Sequence, residues 1–317
     1  MAHHLQAIVV LPAVMRGRIA DASVRRWLSR SRLRECNSRY ETLTQVLEAL
    51  NLAPVASGLA ALRLWGQTGT RPSGWTSAAD PVYLEARLDY LCLHALQDVT
   101  ASELQALFEH LEDTLARDRP YTFRCLDSYG YLESQAAMAT AGVPASAVHG
   151  RSPGDFPLDG PGLAVHDALQ SELQMSLHDC AVNRRRAAAG RLPVNSLWLW
   201  GGGMAPDESA GSLPILFSDD PLVSGYWLRS SAAHAEWPGS LHACVEAADR
   251  FVAVPPGIDA ESATAESCLV ELRDLMRRGR ITQATLLFRD GLQAAIRRRD
   301  SWRVWRCEAD CLLPGNR

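Results

Sequence analysis

Asn183-Arg184-Arg185-Arg186, followed after a short Ala/Gly link by Leu192-Pro193-Val194-Asn195-Ser196-Leu197-Trp198-Leu199-Trp200-Gly201-Gly202-Gly203, is the stretch on which the fold turns. It predicts the end of a helix, a turn marked by Pro193, a short buried strand, and a glycine loop at the strand's C-terminal end. In open α/β sheets, ligands gather at that end. Trp198 and Trp200 point to one face and Leu197 and Leu199 to the other, so the strand is expected to be covered on both sides. The three glycines permit backbone approaches that a Cβ forbids. Their amides, with Arg184 or Arg191, form a candidate anion cradle. The same glycines also suit a tight chain reversal under a packed tryptophan pair.

Upstream of this stretch, Val165, Leu169, Leu173, Leu177 and Cys180 recur at helical spacing. Before them, residues 141–162 are rich in Gly and Pro and predict a connection between two lobes, 1–140 and 163–317. The first lobe opens on an apolar strand, Ala7 to Leu11, and continues with short amphipathic helices. The first of these is capped by Asp21, and the arginines Arg25, Arg26, Arg30, Arg32 and Arg34 lie on and just beyond it. From Asp80 the alternation Val82, Leu84, Ala86, Leu88 predicts a half-buried strand. A capping box, Thr100 with Glu103, then starts a helix through Leu104, Leu107, Phe108 and Leu111, and Tyr121 to Leu132 supplies further strand. Downstream, Leu213 to Phe217, Arg250 to Val254 and Ile281 to Phe288 read as strands. They alternate with helices starting at Asp220-Pro221 and at Ser262 or Thr264, and Trp302 to Trp305 reads as a last strand. Such alternation predicts an α/β sheet flanked by helices, which the first strand is free to join.

The chain has 317 residues, 47% of them hydrophobic, and a formal charge of -4. That length suffices for one large core or two moderate ones, and the charge gives no reason to expect a nucleic-acid surface. All 32 basic residues are arginine. A lysine Schiff base, a lysine general base and a Walker A lysine are therefore excluded. Neither a secretory signal nor a membrane span is expected from Met1 to Val14, and the eight cysteines form no Cys-x-x-Cys pair. Reduced thiols in a cytoplasmic protein are the expectation. Near the C-terminus Arg289, Arg297, Arg298, Arg299, Arg303 and Arg306 interleave with Trp302 and Trp305. That pairing suits phosphate, nucleotide or an acidic protein partner, and equally suits a basic helix end beside an edge strand.

The run from Asn183-Arg184 through Gly190-Arg191-Leu192-Pro193-Val194-Asn195 to the glycines resembles a segment of the archaeal-type cofactor-independent phosphoglycerate mutases. It is similar, more closely, to a bacterial phosphoglycerate-mutase-like family described as RpfE-type regulatory proteins. Asp80-Pro81-Val82-Tyr83-Leu84, Asp89-Tyr90-Leu91 and Trp302-Arg303-Val304-Trp305 add to the second likeness. The mutase likeness implies an alkaline-phosphatase-like α/β fold with a smaller α+β lobe, and two metal ions with a Ser or Thr nucleophile for phosphoryl transfer. Paired metals bind the attacking and leaving oxygens and need a cluster of Asp and His ligands.

The sequence departs from that pattern. No Asp-Gly follows the first strand, and no histidine occurs after His242. His3, His4, His94, His110, His149, His166, His178 and His234 show no ligand spacing; His166 and His178 lie too far apart on one helix to share a metal. Ser128 and Ser196 have no activating base nearby in sequence. The expectation is therefore a non-catalytic, regulatory or ligand-binding relative, with no cofactor. Its ligand, a phosphorylated or carboxylated small molecule, is expected at Asn183, Arg184, Arg191, Asn195, Gly201, Gly202 and Gly203. The alternatives are a divergent phosphomutase or phosphatase using Mn or Mg held by residues such as Asp80, Asp127, Asp219 and Asp220, or a protein-interaction module using the arginine faces.

Overall fold

A computed structural model describes residues 6–35, 42–117, 119–209, 211–256, 262–303 and 305–313. The chain divides into two compact units, 1–54 with 208–317 (unit 1) and 55–207 (unit 2). Unit 1 begins with β1 (Gln6–Leu11), α1 (Ala22–Ser29), β2 (Arg32–Glu35) and α2 (Thr42–Ala49). Unit 2 holds α3 (Leu59–Thr68), β3 (Trp75–Ala86), β4 (Leu91–Ala95), α4 (Ala101–Leu111), β5 (Tyr121–Leu126), β6 (Tyr129–Ser134), β7 (Thr140–Ala141) and α5 (Ala145–Val148). It continues through β8 (Leu158–Asp159), α6 (Leu163–His178), α7 (Ala181–Ala188) and β9 (Ser196–Gly203). Unit 1 resumes with β10 (Ile215–Ser218), α8 (Pro221–Arg229), β11 (His234–Ala235), α9 (Leu241–Ala247), β12 (Arg250–Val254), α10 (Ser262–Arg277), β13 (Gln283–Phe288) and β14 (Leu292–Arg297).

Unit 1 is an α/β layer structure around a 7-stranded sheet of order β11-β10-β12-β1-β13-β14-β2. The strands from β11 to β13 are parallel, and β14 and β2 close one edge antiparallel. A parallel sheet is covered on both faces, which is why β1, β12 and β13 read as continuous apolar runs. On one face Val9, Leu11, Phe251, Leu286 and Phe288 pack under Val24 and Leu28 of α1, Leu241 of α9 and Leu269, Leu272 and Leu275 of α10. The other face is covered by α2, which lies against β1, β13 and α8. Asp21 caps α1 by accepting from the Ser23 amide, and Asp220 caps α8, with Pro221 in its first turn.

Unit 2 is α+β. Its 7-stranded sheet has the order β5-β6-β3-β9-β7-β8, and β4 pairs the C-terminal half of β3. All pairings except β7 with β9 are antiparallel. Helices α4 and α6 cover one face, where Leu104, Leu107, Leu169 and Leu173 meet Leu197 and Leu199 of β9. On the opposite face the indole nitrogens of Trp198 and Trp200 donate to Val143 O and Asp80 Oδ2. The strand is thus covered on both sides, as its composition predicts.

Four expectations are corrected. The lobes do not divide at 141–162: that segment lies inside unit 2, where it contributes α5 and β8. The Trp-bearing strand belongs with β3, antiparallel to it from Thr76 to Val82, and not with the C-terminal strands that β1 joins. Which strands pair is decided by cross-strand packing over long sequence separations, which a one-dimensional pattern does not carry. Trp302 ends a 3-10 turn, Arg298–Trp302, where a strand was expected. Asn183 lies in the first turn of α7, not at a helix end.

Candidate functional site

The residues expected to hold a ligand are divided between the two ends of β9. Its 8 residues, at about 3.3 Å per residue, keep Asn183 and Asn195 far from the glycines. Asn183 is 4% exposed. Its Nδ2 donates to Leu177 O and Val194 O, both at 2.7 Å, and its Oδ1 accepts from Val194 N at 2.8 Å. Asn195 stands in for backbone in the ladder, with Oδ1 accepting from Leu84 N at 2.7 Å and Nδ2 donating to Leu84 O at 2.9 Å. Arg184 is exposed and donates to Asp179 O. Arg191 donates to Glu103 and to Asp98 O, beside the fully buried Arg186, whose Nη2 contacts both oxygens of Asp98 at 2.9 and 3.0 Å.

The glycines also face protein. Gly202 N donates to Thr140 Oγ1 at 3.1 Å, and Gly202 O accepts from Gly58 N at 3.2 Å. A Cβ on Gly202 would stand 2.6 Å from Trp75 Cζ2, and one on Gly203 2.5 Å from Gly58 N. The loop is therefore a close crossing of β9 over the start of α3, with the Gly202 amide engaged by Thr140. Asn183, Arg191, Asn195 and Gly202 thus direct these polar groups to their own chain.

A different set of residues forms a cleft in unit 1, with a volume of about 720 Å³. On α1 the helical spacing places Ser23, Arg26 and Trp27 on one face, with Arg30 just past its end, and on α10 it places Arg273 and Arg277 on one face. The end of β14 and the turn beyond it add Arg297, Arg298, Arg299 and the 80% exposed Trp302. Seven guanidinium groups and two indoles line this space, and among the described residues no carboxylate does. Arg273 Nη1 donates to Ser23 Oγ at 3.0 Å, while its buried Nε has no protein partner. Arg298 donates to Arg277 O at the C-terminal end of α10. Two acidic groups lie nearby: Glu308 is 3.2 Å from Arg26, and Asp274 is 3.8 Å from Arg277. Guanidinium groups converging on one space suit a phosphate or carboxylate, and the indoles suit a stacked ring.

The two arginine runs noted in the sequence thus come together here, while Arg273 and Ser23 were not singled out. Their signal is the i, i+4 repeat of Arg273 with Arg277 and the i, i+3 repeat of Ser23 with Arg26. Arg25, on another face of α1, pairs with Glu308 at 2.9 Å instead.

Most of the groups considered for a metal-dependent reaction are engaged within their own units. Asp80 in unit 2 accepts from Trp200 Nε1 at 2.7 Å and Ala145 N at 3.2 Å and lies 3.7 Å from the buried Arg63. Burial pushes its carboxyl above the ordinary carboxylate range, against the pull of Arg63. Asp127 sits in the exposed β5–β6 turn beside Ser128. In unit 1, Asp220 caps α8 and Asp219 accepts from Trp237 N at 3.1 Å. Ser196 Oγ donates to Gln170 Oε1 at 2.7 Å and has no imidazole partner there. His166 is buried, which lowers its pKa and favours the neutral ring, whereas His178 is exposed at the end of α6. Cys244 and Cys268 are buried thiols, pushed up by burial to about 12 and about 11, and so are poor nucleophiles.

No family model matches the sequence, and no curated protein matches it. Among solved structures it is similar to the PH0037 protein from Pyrococcus horikoshii, with 11% identity, 93% of this chain and 87% of that chain covered, and a TM-score of 0.54. A cofactor-independent phosphoglycerate mutase from Thermoplasma acidophilum aligns over 92% of this chain and 89% of its own, with 16% identity and a TM-score of 0.43. The first likeness is one of fold alone, and the second is too low to carry an argument. No helix among the described residues is long and apolar enough to cross a membrane.

Proposed function

We propose that this is a cytoplasmic, non-catalytic relative of the phosphoglycerate mutases, of the RpfE regulatory type and the alkaline-phosphatase-like fold class, that binds a phosphorylated or carboxylated small molecule in the arginine cleft of unit 1. The observation that carries the reading is the lining of that cleft: among the described residues, seven arginines and two tryptophans without a carboxylate. Charge-assisted hydrogen bonds from several guanidinium groups give both affinity and selection for a compact anion. Asp80, Asp219 and Asp220 each bond protein groups within their own unit, which supports binding without phosphoryl transfer, and no cofactor is part of the proposal.

Isothermal titration with phosphoglycerates, ADP and inorganic phosphate tests it. Saturable binding of at least one phosphorylated compound is expected in wild type and in Arg184→Ala. Because a charged hydrogen bond contributes about 1.5–3 kcal/mol, the double variant Arg273→Gln/Arg299→Gln is expected to bind about tenfold more weakly or worse. Absence of binding, or wild-type affinity in the double variant, rejects the site. Turnover of phosphoglycerates in Mn²⁺ would reject the non-catalytic part.

A further inference from the structure

We propose that the hairpin of β3 and β4 carries a binding site for one zinc-type divalent cation, held by the Glu85 carboxylate, the Cys92 thiolate and the His94 imidazole. The register makes the set. Glu85 stands opposite Cys92, and Tyr83 opposite His94, so with the period of two along each strand all four side chains share one face of the sheet. Ligand atoms of Glu85, Cys92 and His94 lie within 4.8 Å of one another, and theirs is the one such group of three among the described residues. His94 Nε2 is already 2.9 Å from Glu85 Oε2. A tetrahedral zinc with bonds of about 2.0–2.3 Å places its ligand atoms roughly 3.5 Å apart. Small side-chain rotations close that difference.

The donor chemistry narrows the cation. Thiolate and imidazole select zinc and its neighbours over magnesium and calcium, which prefer all-oxygen shells. A dication balances the two anionic ligands, which offsets the cost of ionising Cys92, a side chain only 5% exposed. On binding, the Cys92 thiol releases its proton to solvent. His94 keeps one proton, on Nδ1, and offers the Nε2 lone pair. Arg87 Nη2 lies 2.8 Å from Glu85 Oε2, the oxygen nearest His94, and stays beside the carboxylate when Oε1 turns to the metal. His149 packs edge-on to His94 with ring centroids 5.7 Å apart. Its Nδ1 accepts from Ala95 N at 3.1 Å, which puts its proton on Nε2 and leaves no lone pair for a metal. Three protein ligands and an open fourth position for water or an anion result. This site lies in unit 2 and is independent of the anion cleft.

The test uses the full chain stripped with chelator and the metals themselves. Zn²⁺ titration against a chromophoric chelator is expected to show about one equivalent bound, and Co²⁺ to give a thiolate-to-metal charge-transfer band in the near ultraviolet. Cys92→Ser is expected to abolish that band. His94→Ala and Glu85→Gln should each weaken Zn²⁺ binding about tenfold or more, since even the outer partners of metal ligands are worth roughly 10–100-fold. Cys307→Ser, at an exposed thiol, should change nothing. His94 and Glu85 are only partly buried, so these variants carry the test if Cys92→Ser misfolds, with circular dichroism as the check. Lack of stoichiometric binding, a Co²⁺ spectrum without the thiolate band, or wild-type affinity in His94→Ala overturns the inference.

Discussion

Asn183 and Arg184 are neighbours with opposite fates. Asn183 closes three buried hydrogen bonds that tie α6 and α7 to the entry of β9, and removing its amide strands their partners. Asn183→Ala is expected to destabilise unit 2 by about 2 kcal/mol or more, measured by urea unfolding with hydrogen exchange to assign the transition. Arg184→Ala, at an exposed side chain, should stay within about 0.5 kcal/mol. Gly203 lies close against backbone, with Gly58 N 2.5 Å from where a Cβ would sit. No rotamer change relieves that clash, so Gly203→Ala is expected to cost about 3 kcal/mol. At this scale the sequence identified the residue types that matter. It could not tell whether an asparagine or a glycine serves a ligand or its own backbone, because both uses ask for the same donor or the same missing Cβ.

The capping box at α4 shows how far an element can be read and where reading stops. Thr100 and Glu103 form it as expected, yet Glu103 also receives Arg186 and Arg191, 83 and 88 residues away in sequence. Arg186 is fully buried between Asp98, Glu103 and Leu192 O. Arg186→Ala leaves those acceptors unmatched, and a loss of about 3–5 kcal/mol is expected from chemical unfolding. Burial works to raise the Glu103 pKa, but the Thr100 amide, Arg191 and Arg186 outweigh it and bring it below the ordinary 4.5. A depressed acid pKa contributes stability that is complete above about pH 4.5 and is lost as pH falls through the folded value. Glu103→Gln should therefore be less stable than wild type near neutrality and show a flatter decline of stability below that pH. An unchanged acid limb would remove Glu103 from this role.

At the scale of the molecule, each unit has its own sheet and core, and the chain visits unit 1 twice. If the arginine cleft binds an anion, only folded unit 1 gains: about 2.7 kcal/mol at a ligand concentration 100 times Kd. Calorimetry with phosphoglycerate should move the unit 1 transition up and leave that of unit 2 in place. Added salt should diminish the shift, since exposed guanidinium charges are screened within about 8–10 Å at moderate ionic strength. A shift that ignores salt, or that appears in unit 2, counts against this cleft. What the sequence alone determined is local: the apolar runs of β1, β12 and β13, the caps at Asp21, Thr100 and Asp220, the double-faced burial of the Trp-bearing strand, and the mixed α/β class. Each depends on a residue and its near neighbours, and periodicity records those. Only the tertiary structure decided that β9 pairs with β3, that the units divide at Val55 and Asp207, and that two arginine runs nearly the whole chain apart line one cleft. Those outcomes depend on which distant surfaces are complementary, a property of packed side chains in three dimensions that no window along the chain contains.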